Sequence, residues 1–265
     1  MISETGLRTI QKTISSISLF EFQLCFGNLT TIKNKQALNN TIFLNDPHRS
    51  IEVSEKVLDH TYNLLQSVTK AMRASKPNEK KKLYPISTIL SAVVQNDYLL
   101  FGHERYRVKC FLDDGEGRQL GLSEPDNDFK YHISGEVDLA IFRDISHSTQ
   151  KQSPVLVEIK NTNIYKGISQ NCFYLYALSR QHNLPFTHGI STNLSSWFFI
   201  EYSRERNQFD LSRGVYYKRN DPEGLKELIQ MITYFCKYSY NLTQASASVE
   251  NNEKGAQIDL TNTKQ

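Results

Sequence analysis

Two apolar runs in the middle of the chain carry charges at alternating positions: Gly135-Glu-Val-Asp-Leu-Ala-Ile-Phe142 and Val155-Leu-Val-Glu-Ile-Lys160. Charges set among so much Val, Ile and Leu are costly to desolvate unless they are paired or bind a metal, so their placement is informative. Asp138, Glu158 and Lys160 are the groups in question, with Glu136 beside them. Farther on, Gln170 and Tyr174 stand at i and i+4, a spacing that puts both on one face of a helix. Each piece also has an ordinary reading. Glu158 and Lys160 could form a strand-face ion pair, Asp138 could lie on an open face, and Tyr174 could be one more core aromatic of Phe173-Tyr-Leu-Tyr-Ala-Leu178. The short patterns are uninformative alone: Glu79-Lys-Lys81 repeats the Glu-x-Lys triplet inside a basic linker, and Pro125-Asp126 lies in a polar turn.

Positioning these groups requires strands. Alternate residues of an extended strand share a face, so a strand over Ile133 to Phe142 sets Glu136 and Asp138 on one side and Val137, Leu139 and Ile141 on the other. In Val155 to Lys160, Glu158 and Lys160 share a face with Leu156, opposite Val155, Val157 and Ile159. Paired as a hairpin, the two strands offer three carboxylates and one ammonium at one sheet surface. Like charges there should repel, so Asp138→Ala is expected to relieve strain in the metal-free chain. The surrounding pattern predicts helices from Ser50 to about Met72, Leu83 to Val94, Gly167 to Gln181 and Asp221 to Tyr238. Strands are predicted at Tyr106 to Leu112, Thr187 to Ser191, Ser196 to Tyr202 and Gly214 to Tyr217. The fold class expected is α/β, a central mixed β-sheet flanked by helices.

In this order, the Gly-x-x-Asp strand, the apolar strand ending in Glu-x-Lys and the Gln-x-x-x-Tyr helix resemble the PD-(D/E)XK nuclease superfamily, in its RecB-like variant. The resemblance covers roughly residues 130 to 203. Within it, Gly189-Ile-Ser-Thr-Asn-Leu-Ser-Ser-Trp-Phe-Phe-Ile200 is weakly similar to strands of Crinkler-type effector nuclease domains. The resemblance implies a restriction-endonuclease-like core and Mg²⁺- or Mn²⁺-dependent hydrolysis of phosphodiester bonds, in DNA ahead of RNA. It implies Asp138, Glu158 and the backbone carbonyl of Ile159 as metal ligands, a choice that suits a hard cation. Lys160 would orient or help deprotonate the water and stabilise the phosphorane. Gln170 and Tyr174 would contact the nucleic-acid backbone or position the site, and Glu136 would be auxiliary. An upstream helical acid is also expected, with Glu52, Glu55 and Glu79 as candidates and Glu55 the one carried forward. His132 reads as a surface or pocket histidine. The rival from another class is a catalytically inactive nuclease-fold module that binds nucleic acid or a protein partner.

Composition fits this frame. The chain has 265 residues, 28 Phe and Tyr together with one Trp, and a formal charge of +3. That length and apolar content give a packed globular chain and exclude a mini-protein or wholesale disorder. The charge alone does not indicate nucleic acid. Lys166, Arg180, Arg204, Arg206, Arg213, Lys218 and Arg219 follow the motif block and could supply positive charge for phosphate. Cys25, Cys110, Cys172 and Cys236 form no Cys-x-x-Cys pair, which excludes a zinc knuckle and suggests reduced thiols in an intracellular setting, cytoplasm or nucleus. No uncharged apolar stretch approaches the ~20 residues of a membrane span. The organisation expected is an N-terminal region of unclear role (1–48), a nuclease-like domain (49–243) and a disordered tail (244–265).

Overall fold

The computed structural model describes the backbone of residues 8–13, 42–73, 79–94, 98–102, 107–112, 129–143, 153–218 and 220–262, with side chains at 42–72, 81–94, 135–143, 153–218 and 220–242. Its strands are β1 (Arg8–Thr13), β2 (Tyr98–Gly102), β3 (Arg107–Leu112), β4 (Phe129–Glu136), β5 (Leu139–Arg143), β6 (Val155–Ile159), β7 (Phe186–Thr192), β8 (Ser196–Ser203), β9 (Gln208–Leu211) and β10 (Val215–Tyr216). The helices are α1 (Glu55–Arg73), α2 (Glu79–Val93), α3 (Ile164–His182) and α4 (Pro222–Asn262), with a 3-10 turn at Pro47–Ser50.

The main sheet runs β10-β8-β7-β6-β5-β2, and β9 pairs with β8. It is mixed: β6 and β7 are parallel, while β5–β6 and β7–β8 are antiparallel. A parallel pair needs a crossover, and α3 supplies it between β6 and β7. The protein is therefore α/β, with a central mixed sheet and helices on both faces. β6 is buried at all five positions, as expected of a strand covered on both sides.

Side-chain alternation divides the core in two. Leu156, Phe198 and Ile200 meet α3, whereas Val155, Val157, Ile159, Trp197 and Phe199 face Leu65 of α1, Ile86 and Leu90 of α2, and Leu228 and Phe235 of α4. Ile42 and Phe43 belong to this second core, where Phe43 lies 5.2 Å from the Phe199 ring. The domain thus includes residues ahead of position 49. Asn163 starts α3 by accepting the Lys166 backbone N–H, and Asn183 ends it in the left-handed conformation.

Two elements depart from the sequence pattern. The strand expected from Ile133 to Phe142 is broken at Val137-Asp138: β4 joins β1 and β3 in a small sheet, and β5 joins the main one. Rotation at the break sends Val137 and Ala140 to the α3 core while Leu139 and Ile141 face the other, so Val137 does not share their face as expected. The backbone of α4 is helical through Asn262, past the expected end at Tyr238 and through most of residues 244–265, which the composition reads as a tail. No Gly or Pro occurs between Tyr238 and Gly255 to stop it. No helix among the described residues is long and apolar enough to cross a membrane.

Candidate functional site

Asp138, Glu158 and Lys160 meet beside the point where the chain leaves one sheet for the other. The antiparallel register pairs Leu139 with Val157; carried back one residue, it sets Asp138 opposite Glu158. At the bend the backbone ladder ends, and the Asp138 side chain takes the place of a carbonyl: its Oδ2 accepts the Ile159 N–H at 2.7 Å. Glu158 follows the expected parity, pointing to the α3 side beside Leu156. Its Oε1 lies 2.6 Å from Lys160 Nζ, with the two side chains only 4% and 12% exposed. The repulsion expected among these acids is therefore offset in the folded chain, and Asp138→Ala would remove a ladder acceptor rather than relieve strain.

Helix α3 closes the site from above through three residues spaced at i, i+3 and i+7. At Gly167 a Cβ would come within 2.7 Å of Lys160 Cγ, so only glycine lets the helix start this close to the Lys160 side chain. Gln170 follows on that face, buried, with no hydrogen-bond partner for its Oε1 among the described residues. Tyr174 comes next, and its hydroxyl donates to the Glu136 carbonyl at 2.8 Å. Its ring occupies the space a side chain at Gly135 would need, 2.4 Å from the position of a Cβ. The Gly-x-x-Asp and Gln-x-x-x-Tyr patterns are thus two halves of one contact. Burial pushes the Tyr174 phenol well above its ordinary range, and the charges of Glu158, Asp138 and Glu136 push it further, so the group stays a neutral donor.

The remaining candidates are spread more widely. Glu136 is exposed at the end of β4 and contributes its backbone carbonyl to the Tyr174 contact. Glu55 and Glu52 are exposed at the start of α1, a helix packed on α2 and α4; none of the contacts that join Asp138, Glu158 and Lys160 involves them. The side chains of Glu79 and His132, and Arg219 altogether, lie outside the described residues. Lys166, Arg180, Arg213 and Lys218 are exposed. Arg206 pairs with Asp210 at 3.0 Å, and Arg204 donates to Asn183, so both serve the far end of the sheet.

Residues the sequence pattern did not single out complete the surroundings. Lys82 of α2, next to the basic Glu79-Lys-Lys81 run, donates to the carbonyls of Asn161 and of Asn193, the latter at 3.0 Å. It ties the loop after β6 to the loop after β7, beside the 2.9 Å bond from Lys160 N–H to the Thr192 carbonyl. In that second loop Leu194 holds φ 77°, a conformation that leucine tolerates only when its surroundings fix it. Here its N–H donates to Thr192 Oγ1 and its carbonyl accepts Trp197 Nε1–H. Asn171, fully buried, donates to the carbonyls of Leu156 and Ile190 and locks α3 onto β6 and β7.

A second polar cluster sits toward the other end of β7 and β8. His188 Nε2 lies 3.1 Å from Glu201 Oε2, Ser239 Oγ lies 2.9 Å from His188 Nδ1, and the Tyr238 hydroxyl donates to Glu201 at 3.1 Å. Burial works against the Glu201 charge, but the hydrogen bond and charge of His188, the Tyr238 hydroxyl and Arg206 outweigh it and hold the carboxyl below its ordinary range. The Ser, His and acid are ordered as a nucleophilic relay would be, yet Ser239 is 1% exposed inside the α4 interface. This network fastens α4 to the sheet.

The fit of a divalent cation rests on the donors at the first cluster. Asp138 and Glu158 are hard oxygen donors held on adjacent strands, as Mg²⁺ or Mn²⁺ prefers. In an extended strand a residue's N–H and C=O point to the same side, so the Ile159 carbonyl lies on the side to which its N–H donates, that of Asp138. No group of three His, Cys, Asp or Glu side chains converges on a metal position among the described residues; two carboxylates, that carbonyl and waters would make a ligand set of the kind Mg²⁺ takes. No protein-family description and no curated protein matches the chain.

Proposed function

We propose that this protein is a metal-dependent nuclease that hydrolyses phosphodiester bonds, in DNA ahead of RNA, on a PD-(D/E)XK-type core. One observation carries the reading. Asp138, Glu158 and Lys160 meet at the junction of β5, β6 and α3, and the glycine and tyrosine of the flanking motifs form the contact that closes it.

Asp138, Glu158 and the Ile159 carbonyl would hold Mg²⁺ or Mn²⁺. When bound, such an ion lowers the pKa of a water and offsets phosphate charge. Lys160 has its ammonium beside Glu158, where it can orient the attacking water and meet the charge that gathers on the phosphate. Tyr174 fixes the Glu136 carbonyl two residues ahead of Asp138 and so positions that carboxylate. Gln170, whose buried side-chain oxygen has no hydrogen-bond partner among the described residues, would serve as an acceptor at the site.

A second reading, a non-catalytic nuclease-fold module, is favoured by the engagement of Glu158 by Lys160. Incubating the purified protein with linear, circular and single-stranded DNA and with RNA, in Mg²⁺, Mn²⁺ or EDTA, separates the two. Asp138→Asn, which keeps an acceptor for Ile159 N–H, and Lys160→Ala serve as controls. Metal-dependent cleavage lost in both variants is expected. Cleavage that persists in EDTA or in both variants refutes the metal-nuclease reading, and binding without cleavage selects the module.

A further inference from the structure

The strand registers set four residues in one row across the end of the main sheet that holds Lys160. Ile159 pairs with Thr192, and Thr192 with Trp197. Carried forward one residue, Lys160 stands level with Asn193, whose N–H donates to the Ser196 carbonyl at 3.2 Å, and Ser196 pairs with Tyr216 of β10. Residues level with one another across a sheet share a face. Val215 packs beside Trp197 in the core away from Glu158, so the next residue, Tyr216, points to the face that Glu158 and Lys160 take. Gly214 agrees with that side: a Cβ there would lie 2.8 Å from Cζ of Phe198, a member of the α3 core, and 3.5 Å from Cζ of Tyr216. Unlike Phe198, Tyr216 is 75% exposed, because β10 lies one strand beyond β6, β7 and β8, on which α3 packs.

Both ends of this row present an aromatic ring beside a cation. The first turn of α3 exposes Tyr165 and Lys166 just ahead of Gly167, the residue set against the Lys160 side chain; β10 exposes Tyr216, with exposed Lys218 two residues on. Between them the row carries only Asn193, whose side-chain oxygen accepts the Ser195 and Ser196 N–H groups, and Ser196 itself. The carboxylates that adjoin the row in sequence are committed: Asp221 accepts the Gly224 N–H at 2.9 Å, and Glu158 engages Lys160. Exposed ring faces take unstacked bases of any sequence, which a duplex keeps stacked, and lysines meet the phosphates between them. We infer that single-stranded nucleic acid lies along this row, its bases on Tyr165 and Tyr216 and its phosphates on Lys166 and Lys218. The choice of nucleic acid as ligand rests on the nuclease reading; the row narrows it to a single strand.

Tyr216 stands three strands from Lys160, about 14 Å at ordinary strand spacing, which exceeds the ~8 Å Debye length at physiological salt. Binding there does not require metal at the acid pair, so it can be measured in EDTA. Fluorescence anisotropy of the full chain with labelled oligo(dT) and oligo(U) of about twelve nucleotides, within the ~4–16 of known single-strand sites, and with a DNA duplex of the same length tests it. Both single strands, or one of them, should bind more tightly than the duplex, and the tighter one identifies the sugar. Tyr216→Ala and Tyr165→Ala should each weaken single-strand binding about tenfold, and Tyr216→Phe should restore it because the ring face remains. Lys218→Ala should lower the slope of log Kd against log salt by about 0.7. These side chains are exposed, so their variants should fold. Single-strand binding that depends on Tyr216 without any cleavage in Mg²⁺ keeps the track and removes the nuclease. Cleavage and single-strand binding indifferent to both tyrosines keep the nuclease and overturn the track. The track is overturned equally if the duplex binds as tightly as the single strands, or if no oligonucleotide binds.

Discussion

Gly135→Ala probes the contact that links the two flanking motifs. A methyl group there would stand 2.4 Å from Tyr174 Cε1 and 3.0 Å from its hydroxyl oxygen. Carbon atoms rest ~3.5–4.0 Å apart, so the ring has to withdraw by roughly 1 Å. It cannot do so and keep its 2.8 Å bond to the Glu136 carbonyl. Overpacking costs about 1–3 kcal/mol and the lost bond about 1 kcal/mol, giving about 2–4 kcal/mol in all. Urea unfolding of the full chain at 25 °C reads this directly. In a Tyr174→Leu background the glycine substitution should cost almost nothing, whereas in Tyr174→Phe it should stay expensive because Cε1 remains. Coupling of more than ~1 kcal/mol between positions 135 and 174 is expected. Losses that add to within ~0.5 kcal/mol would refute the contact as the reason for glycine at this position.

Two other perturbations follow from buried charge. Lys160→Met leaves Glu158 buried without its partner and should cost about 3–5 kcal/mol. The double variant Glu158→Gln/Lys160→Met should recover most of that loss in the same unfolding assay, and no recovery would argue against the pair. The Glu201 carboxyl, held below its ordinary range in the fold, contributes stability that is present above its unfolded value of about 4.3 and is lost as pH falls through its folded value. Melting temperatures from pH 6 to pH 3 should therefore fall less steeply in Glu201→Gln than in the parent. Equal slopes would remove Glu201 from the account.

The face assignment in β6 was legible because a straight strand obeys a period of two, and Glu158 sits with Leu156 as the pattern required. The same rule failed at Val137, since it assumes an unbroken strand and nothing in Glu136-Val-Asp138 marks a change of sheet. Gly135 was visible as a motif position, but its reason is a ring contributed by a helix nearly forty residues later. Lys82 looked like one lysine in a basic run; only the convergence of two loops on α2 gives it carbonyls to hold. His188 and Glu201 are likewise ordinary residues in sequence, made partners by the β7–β8 register. Local periodicity therefore revealed elements and faces, while the groups that fix the site depend on contacts between distant segments.

The bend at Val137-Asp138 makes a single strand the shaft of a lever. On one side it is gripped by β1 and β3, on the other by β2 and β6, and Asp138 sits at the fulcrum with its carboxylate tied to Ile159 N–H. Force applied to the small sheet, by a ligand or by a neighbouring chain, reaches the main sheet along the backbone through that residue. Because α3 packs on β3 as well as on β6, the same helix that supplies Gly167 and Tyr174 braces the lever arm. The orientation of Asp138 is thus coupled to the small sheet through β4, which ends at Glu136, two residues ahead of it.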